Sequence, residues 1–257
     1  MRLTKERIGN FTSSGISALM TNGKKAELFG QPALTYIEEK NMERRLLRSL
    51  DVESNAKPLT WGKYLESRAF SLLGLEYSLC SQETLQHSII ENWSGSPDGT
   101  KPKTVIDIKC PMTLKSFCQL VDPFYVGGLK GLDWINAIRT GWTDKKGNEH
   151  SKHKSAEEYY WQLVSNSILT DSEFAELIIY VPFLSELDEI RESTSMVDGS
   201  DQNKLAWINF ADDEDLPYLN DGGIYQNINV INFRVPDEDK KALTSRVLDA
   251  SKLLIKK

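Results

Sequence analysis

The sequence predicts an α/β fold in which a mixed central sheet is flanked by helices. Three observations lead there. Apolar residues before Gly74 recur with helical spacing, the stretch after it switches to short apolar runs divided by Pro, Gly and Asp, and FAELIIYVPF at 174–183 has the character of a buried strand. With 257 residues, 40% hydrophobic and 26% charged, the chain can bury a substantial core, and one domain over 1–257 is expected.

Taken in order, Thr12, Ser13 and Ser14 each offer an N-cap to a short helix through ISALM, and Leu34, Ile37, Leu46, Leu47 and Leu50 mark a helix over 33–50. TWGKYLESRAFSLLG places Leu65, Ala69, Leu72 and Leu73 on one face and reaches Gly74, a C-cap position. LEYSLC, HSIIENW and TVIDIK read as strands, with SGSPDGTKPK as the turn that makes this part antiparallel. Helices are expected at 113–121 and 155–170, then a late strand, IYQNINVINFRV, and a terminal helix from about 237 to 256. The stretch 122–154, rich in Gly, Lys and aromatics without a steady period, reads as a long functional loop or a partly helical excursion.

Composition narrows the function. There is no apolar run of roughly eighteen residues and no apolar leader in MRLTKERIGN, so no membrane or export role is indicated and a cytoplasmic location is the default. Cys80, Cys110 and Cys118 lack CxxC spacing and indicate neither a disulfide framework nor a zinc site. A net charge of −6 argues against holding nucleic acid by overall charge. The acids, however, concentrate at 211–221 and 236–239, while 1–7, 40–48, 101–115 and 145–154 are rich in bases. A basic mouth on an acidic body and a mixed solvated surface fit that pattern equally. His150 and His153 have the spacing of a metal pair, but SKHK reads as a solvated loop. Neither a GxxxxGK(S/T) phosphate loop nor a GxSxG elbow occurs.

The charged residues with chemical meaning lie in SPDGT and VIDIK. Side chains on a strand alternate, so Val105, Asp107 and Lys109 share one face and Ile106 and Ile108 the other. That pattern fits an edge strand facing solvent, or a site. If the hairpin folds Asp98 over the strand, the Asp98 and Asp107 carboxylates meet, and like charges that close call for a cation between them. Magnesium takes oxygen ligands and keeps positions for water and a phosphate. The Lys109 amine beside it would orient or help deprotonate an attacking water. Glu66 follows Gly62 by one helical turn, and the missing side chain at Gly62 would let the backbone come close and aim the carboxylate at the metal. A surface ion pair with Lys63 is the other reading. Gln162, near the apolar face of AEEYYWQLVSNSIL, is an amide that needs partners, supplied either structurally or by the site.

Four blocks in order, KERIGNFTSS, NAKPLTWGKYLESRAF, SGSPDGT with IDIKCPMTLKSF, and YYWQLVSNSIL, extend this pattern from about residue 5 to 170. With them the chain resembles the lambda exonuclease group, or YqaJ-like viral recombinases, of the PD-(D/E)xK nuclease superfamily. The resemblance implies a restriction-endonuclease-like core and a magnesium-dependent exonuclease, with manganese as a substitute, that degrades double-stranded DNA from its 5′ ends. It further implies a ring-shaped homotrimer working beside a single-strand annealing protein in recombination, in the cytoplasm of a bacterial host if phage or prophage encoded.

By the same resemblance Asp98, Asp107 and the Ile108 carbonyl would bind metal, Lys109 would position water, and Glu66 and Gln162 would support them. A 5′-phosphate pocket falls on Arg7, Ser14, Ser96 and Lys115, while Lys57 and Leu59 match positions that contact DNA and wedge apart its terminal pair. Lys115 departs from the family's usual arginine and cannot make the same bidentate contact. Read alone, Arg7 and Lys115 are equally surface cations, Ser14 a helix cap and Leu59 a hydrophobic staple. A restriction- or repair-type endonuclease and a catalytically inactive DNA-end scaffold are the other readings, although paired carboxylates that repel phosphate give a pure binder no advantage. Beyond residue 175 no family motif is found, and 122–154 and 211–221 look like departures from a minimal member.

Overall fold

The computed structural model describes residues 7–24, 28–50, 56–80, 84–197 and 200–256, so the basic residues at 1–6 lie outside it. Strand β1 (Phe11–Thr12) leads into ISALM, which closes as a short 3-10 helix at Ile16–Met20 behind Gly15, without a capping side chain. Helix α1 (Gln31–Leu46) follows, and α2 (Lys57–Ser71) starts with Pro58 in its first turn, where the missing N–H costs nothing. Helix α2 ends at Ser71 with Leu72 as its C-cap, so Gly74 does not cap it.

Strands β2 (Ser78–Leu79), β3 (Leu85–Gln86), β4 (Trp93–Gly95), β5 (Gly99–Lys101) and β6 (Thr104–Lys109) come next. Most of HSIIENW is not strand. His87 Nδ1 accepts the N–H groups of Ile89 at 3.1 Å and Ile90 at 3.0 Å, and these bonds bend the chain ahead of Trp93.

Helix α3 (Leu114–Tyr125) is capped by Thr113, whose hydroxyl accepts the Ser116 N–H. Of the two readings of 122–154 the partly helical one holds: the stretch contains helix α4 (Gly131–Thr140) and a hairpin of β7 (Trp142–Thr143) and β8 (Glu149–His150). Long-range contacts account for this, since Trp134 Nε1 donates to the Leu120 carbonyl at 2.7 Å and His150 stacks on Trp142 at 4.0 Å. His153 is buried rather than solvated, with Nδ1 accepting the Ser155 N–H and Nε2 lying 2.8 Å from Ser116 Oγ. The chain then forms α5 (Ala156–Leu169), β9 (Phe174–Tyr180), α6 (Leu187–Ser195), α7 (Ser200–Phe210), β10 (Ile228–Arg234) and α8 (Asp237–Ser251).

The main sheet has the order β10-β9-β6-β5-β2. Within this sheet, among the described residues, only β6 and β9 pair in parallel, joined by a crossover through α3, α4 and α5; its other pairs are antiparallel, so the sheet is mixed as expected. The alternation in TVIDIK divides two cores. Val105 packs with Ala175, Leu177 and Ile179 beneath Tyr160, Leu163 and Val164 of α5, whereas Ile106 and Ile108 pack with Trp61, Leu65 and Ala69 of α2 on the opposite face. The strand is covered on both sides, which rules out an exposed edge.

Several charge clusters serve the fold. Lys40 and Arg44 are both buried, Lys40 against Glu43 at 3.0 Å, so the basic stretch 40–48 is only partly available to a surface mouth. Asp237, Glu238 and Asp239 occupy the first turn of α8, where the helix dipole favours acids. Within 211–221, Asp213 pairs with Arg191 of α6 at 2.6 Å.

Two glycines contrast. A Cβ on Gly99 would lie 2.8 Å from the Ser78 carbonyl oxygen and 2.9 Å from both Ile106 Cδ1 and Phe70 Cε2, so β5 fits between α2 and its neighbours only without a side chain there. A Cβ on Gly62 would meet only Cys110 O, at 4.0 Å, so that glycine is not required for close approach. Gly99→Ala is therefore expected to cost about 1–3 kcal/mol in urea unfolding. Gly62→Ala should stabilise by up to about 1 kcal/mol through helix propensity.

Candidate active site

The C-terminal end of β6 carries the site. Asp107 is fully buried, opposite Leu177 of β9 in register, and a carboxylate in that position needs compensation. Gln162 Nε2, from α5 on the same face, donates to Asp107 Oδ1 at 2.7 Å. The Lys109 ammonium lies 2.8 Å from Asp107 Oδ2 and donates to Gln162 Oε1 at 3.4 Å, closing a triangle of three side chains. Oδ2 is buried, with the Lys109 ammonium as its charged partner.

Asp98 immediately precedes β5, where Gly99 pairs with Ile106. Continued by one residue, that register sets Asp98 beside Asp107, and Asp98 Oδ2 accepts the Ile108 N–H at 2.7 Å. The fold-back expected of the Pro-Asp-Gly turn is thus realised. Glu66 arrives on α2 from the other face of the sheet, and Tyr159, one turn before Gln162 on α5, sets its ring 5.1 Å from the Lys109 ammonium.

These charges perturb one another. Burial, and then Asp107, raise the Asp98 carboxyl above its usual range. Burial raises Asp107 as well, against the pull of Lys109. Glu66 is pushed up to about 7, chiefly by burial, with Lys109 opposing and Asp107 adding to the rise. Burial works against the Lys109 ammonium, but Asp107 and Asp98 outweigh it and hold its proton more tightly than in a free lysine.

Glu66, Asp98, Ile108 and Gln162 line a cavity of about 410 Å³ together with Arg7, Ser14 and Ser96, so three of the four residues expected to bind phosphate face the same space as the Glu66 and Asp98 carboxylates, while Asp107 and Lys109 lie outside that lining. Lys115 is exposed in the first turn of α3, outside that lining. Lys57 and Leu59 are exposed at the start of α2, also outside the lining, and Leu59, at 42% exposure, does not fold down as a staple. The cavity wall also includes Ser13, Lys63, Phe70 and Cys80, which the motifs do not single out. Tyr159 has a legible signal, its three-residue spacing from Gln162 on one helix face.

Behind the wall, Ser13 Oγ meets Ser165 Oγ at 2.8 Å, and Trp93 Nε1 donates to Ser165 Oγ at 2.8 Å. Arg7 is led to the cavity by Gly9, whose N–H donates to Glu43 Oε2 at 2.8 Å and whose carbonyl accepts from Arg44 Nε at 2.7 Å. Gly9 has φ +67°, and a Cβ there would lie 2.5 Å from Arg44 Cγ.

The donors suit a hard divalent cation. Asp98 and Asp107 offer carboxylate oxygens, Ile108 a carbonyl, and the buried Asp107 Oδ2 has spare accepting capacity. Among the described residues no group of three or more His, Cys, Asp and Glu side chains forms a metal cage by itself, so the backbone carbonyl and water would have to complete the shell.

No family profile and no curated protein sequence matches the chain. Solved structures do. An alkaline exonuclease, LHK-Exo, from Laribacter hongkongensis is 17% identical with a TM-score of 0.54 over 96% of this chain and 89% of that one. The same enzyme in complex with dAMP is 18% identical with a TM-score of 0.53 over 97% and 90%. A phage-related exonuclease from Haemophilus somnus 129PT is 17% identical with a TM-score of 0.57 over 95% and 92%. At these identities the likeness is one of fold. The chain has the fold of alkaline and phage-type exonucleases, the group to which the sequence blocks pointed.

Glu66 holds its proton up to about pH 7 in the folded chain, against an ordinary value of 4.5. The folded state therefore binds the extra proton between those limits, and this stability is present at low pH and lost as pH rises through the window. In EDTA, Glu66→Gln should gain on the parent by about 2 kcal/mol between pH 5 and pH 8, a figure reduced for the solvent that reaches a half-buried carboxyl. Urea unfolding at the two pH values measures it, and a pH-independent difference would contradict the assigned environment.

Proposed function

We propose that this protein is a metal-dependent deoxyribonuclease that degrades double-stranded DNA from its 5′ ends. The observation that carries the reading is the convergence at the end of β6, where Asp107 is bridged by Gln162 and Lys109 while Asp98 is held on the Ile108 N–H. A structural ion pair would need no second carboxylate, no glutamine bridge and no cavity beside it. The fold shared with alkaline and phage-related exonucleases supports the same reading.

Asp98, Asp107 and the Ile108 carbonyl would hold the cation, with magnesium favoured by the all-oxygen donor set and manganese as a substitute. When bound, it would supply charge stabilisation to the phosphoryl oxygens and make water a stronger acid. The chain's own groups divide the remaining work. The Lys109 ammonium keeps its proton, so it orients a water and offsets charge developing on phosphate rather than acting as the base. Glu66, which faces the same cavity, would take the water's proton. Gln162 fixes Asp107 and Lys109 relative to each other. Arg7, Ser14 and Ser96 face the same cavity and would receive the terminal phosphate, with exposed Lys115 approaching from outside its lining. The cavity is of small-ligand size, and LHK-Exo has been solved with dAMP.

A homotrimer around the DNA, a single-strand annealing partner and a place in recombination within a bacterial cytoplasm complete the proposal; among the described residues no helix is long and apolar enough to cross a membrane. In magnesium, the protein should digest a linear duplex and leave a covalently closed circle intact. Asp98→Asn and Lys109→Ala should each lower kcat by about 10³-fold or more while melting as cooperatively as the parent. Linearisation of the circle would instead identify an endonuclease, and metal binding without any hydrolysis a scaffold. Preference for a 5′-phosphorylated end, lost in Arg7→Ala, checks polarity and pocket together.

A further inference from the structure

We propose that Trp207 of α7 is a positioning residue that fixes the tip of α2 for opening the end of a DNA duplex. The inference rests on the reading that Lys57 and Leu59 meet the terminal base pair. Leu59, Lys63 and Glu66 recur along one face of α2, and the latter two line the cavity. Leu59 therefore stands roughly 10 Å beyond Glu66, at the rim.

The first turn closes on its N-cap, with the Leu59 and Thr60 N–H groups donating to the Ala56 carbonyl at 2.9 and 3.1 Å. Trp207 adds a tie to that turn from another helix. Its indole Nε1 donates to Thr60 Oγ1 at 3.1 Å, and the Thr60 hydroxyl donates in turn to the Lys57 carbonyl at 3.1 Å, a relay from α7 into the first turn. The same ring lies beneath the Lys57 ammonium, 5.1 Å from its centroid, and tilts against the buried Trp61 at 6.2 Å. One indole thus sets both the backbone of the turn and the direction of its cation. An aromatic platform of this kind limits the side-chain freedom of a lysine that must meet a phosphate, and holds the neighbouring leucine ready to enter between bases.

The test uses the full chain in calcium, with a blunt duplex carrying 2-aminopurine at its 5′ terminus, so that affinity and unstacking are read without turnover. Trp207→Leu should weaken binding about five-fold and lower the bound-state fluorescence. Trp207→Phe, which keeps a ring under Lys57, should lose less, and it keeps the test open if the leucine variant loosens α7. On a duplex with mismatched terminal pairs the variants should lose less affinity than on the paired end. Combining Trp207→Leu with Lys57→Ala should cost less than the sum of the two separate losses. If Lys57→Ala weakens binding and the second substitution adds its full effect, or if the mismatched end is affected equally, the role of Trp207 is overturned while that of α2 stands. If Lys57→Ala changes nothing, the reading of the α2 tip is wrong and the proposal falls with it.

Discussion

A fully buried carboxylate is the constraint around which this structure is arranged. Asp107 sits in the middle of a mixed sheet, on a face otherwise filled by Val105, Ala175, Leu177 and Ile179. A lone charge there would cost several kcal/mol. The cost is contained because α5 brings an amide donor to one oxygen and the strand's own Lys109 brings a cation to the other. The helix that covers this face must therefore cross the end of β6 with Gln162 pointing down, and the crossover from β6 to β9 is the part of the chain that delivers it.

The second carboxylate enters by a different route. Asp98 belongs to the neighbouring antiparallel strand, and its place beside Asp107 depends on register and on the absence of a side chain at Gly99. Glu66 comes from the opposite face of the sheet. The end of β6 is therefore the point where both helical layers and the hairpin reach one volume. That explains why three acids can share it, and why burial raises all three.

Much of this was legible in the residues. The two-residue alternation in TVIDIK divides the two cores as the sequence implies, and the Pro-Asp-Gly turn returns Asp98 to the strand. That Gln162 is an amide in need of partners was readable; its bridging of Asp107 and Lys109 was not, because partners across 55 residues leave no local trace. Helix α4 was legible only as a partly helical excursion, since its anchor is Trp134 on the Leu120 carbonyl, and the β7–β8 hairpin pairs two residues of each strand and is closed by a Trp142–His150 stack. In α7, apolar Leu205, Trp207, Ile208 and Phe210 crowd together without a clean periodic face, so no amphipathic pattern announces it. Gly62 misleads in the other direction, since a glycine one turn from Glu66 suggests close approach where there is ordinary space.

The grip on Gly9 bears on how tightly a ligand can be held. Adjacent residues of α1, Glu43 and Arg44, take the N–H and the carbonyl of one peptide-linked residue, and Arg44 also reaches Asn92 Oδ1 at 2.5 Å, so the segment leading to Arg7 is tied to a helix and to the approach of β4. The conformational entropy of that segment is lost when the chain folds rather than when a phosphate arrives. Preorganisation of this kind would make the affinity of the cavity for any ligand that meets Arg7 depend on α1, a helix that supplies no residue to its lining.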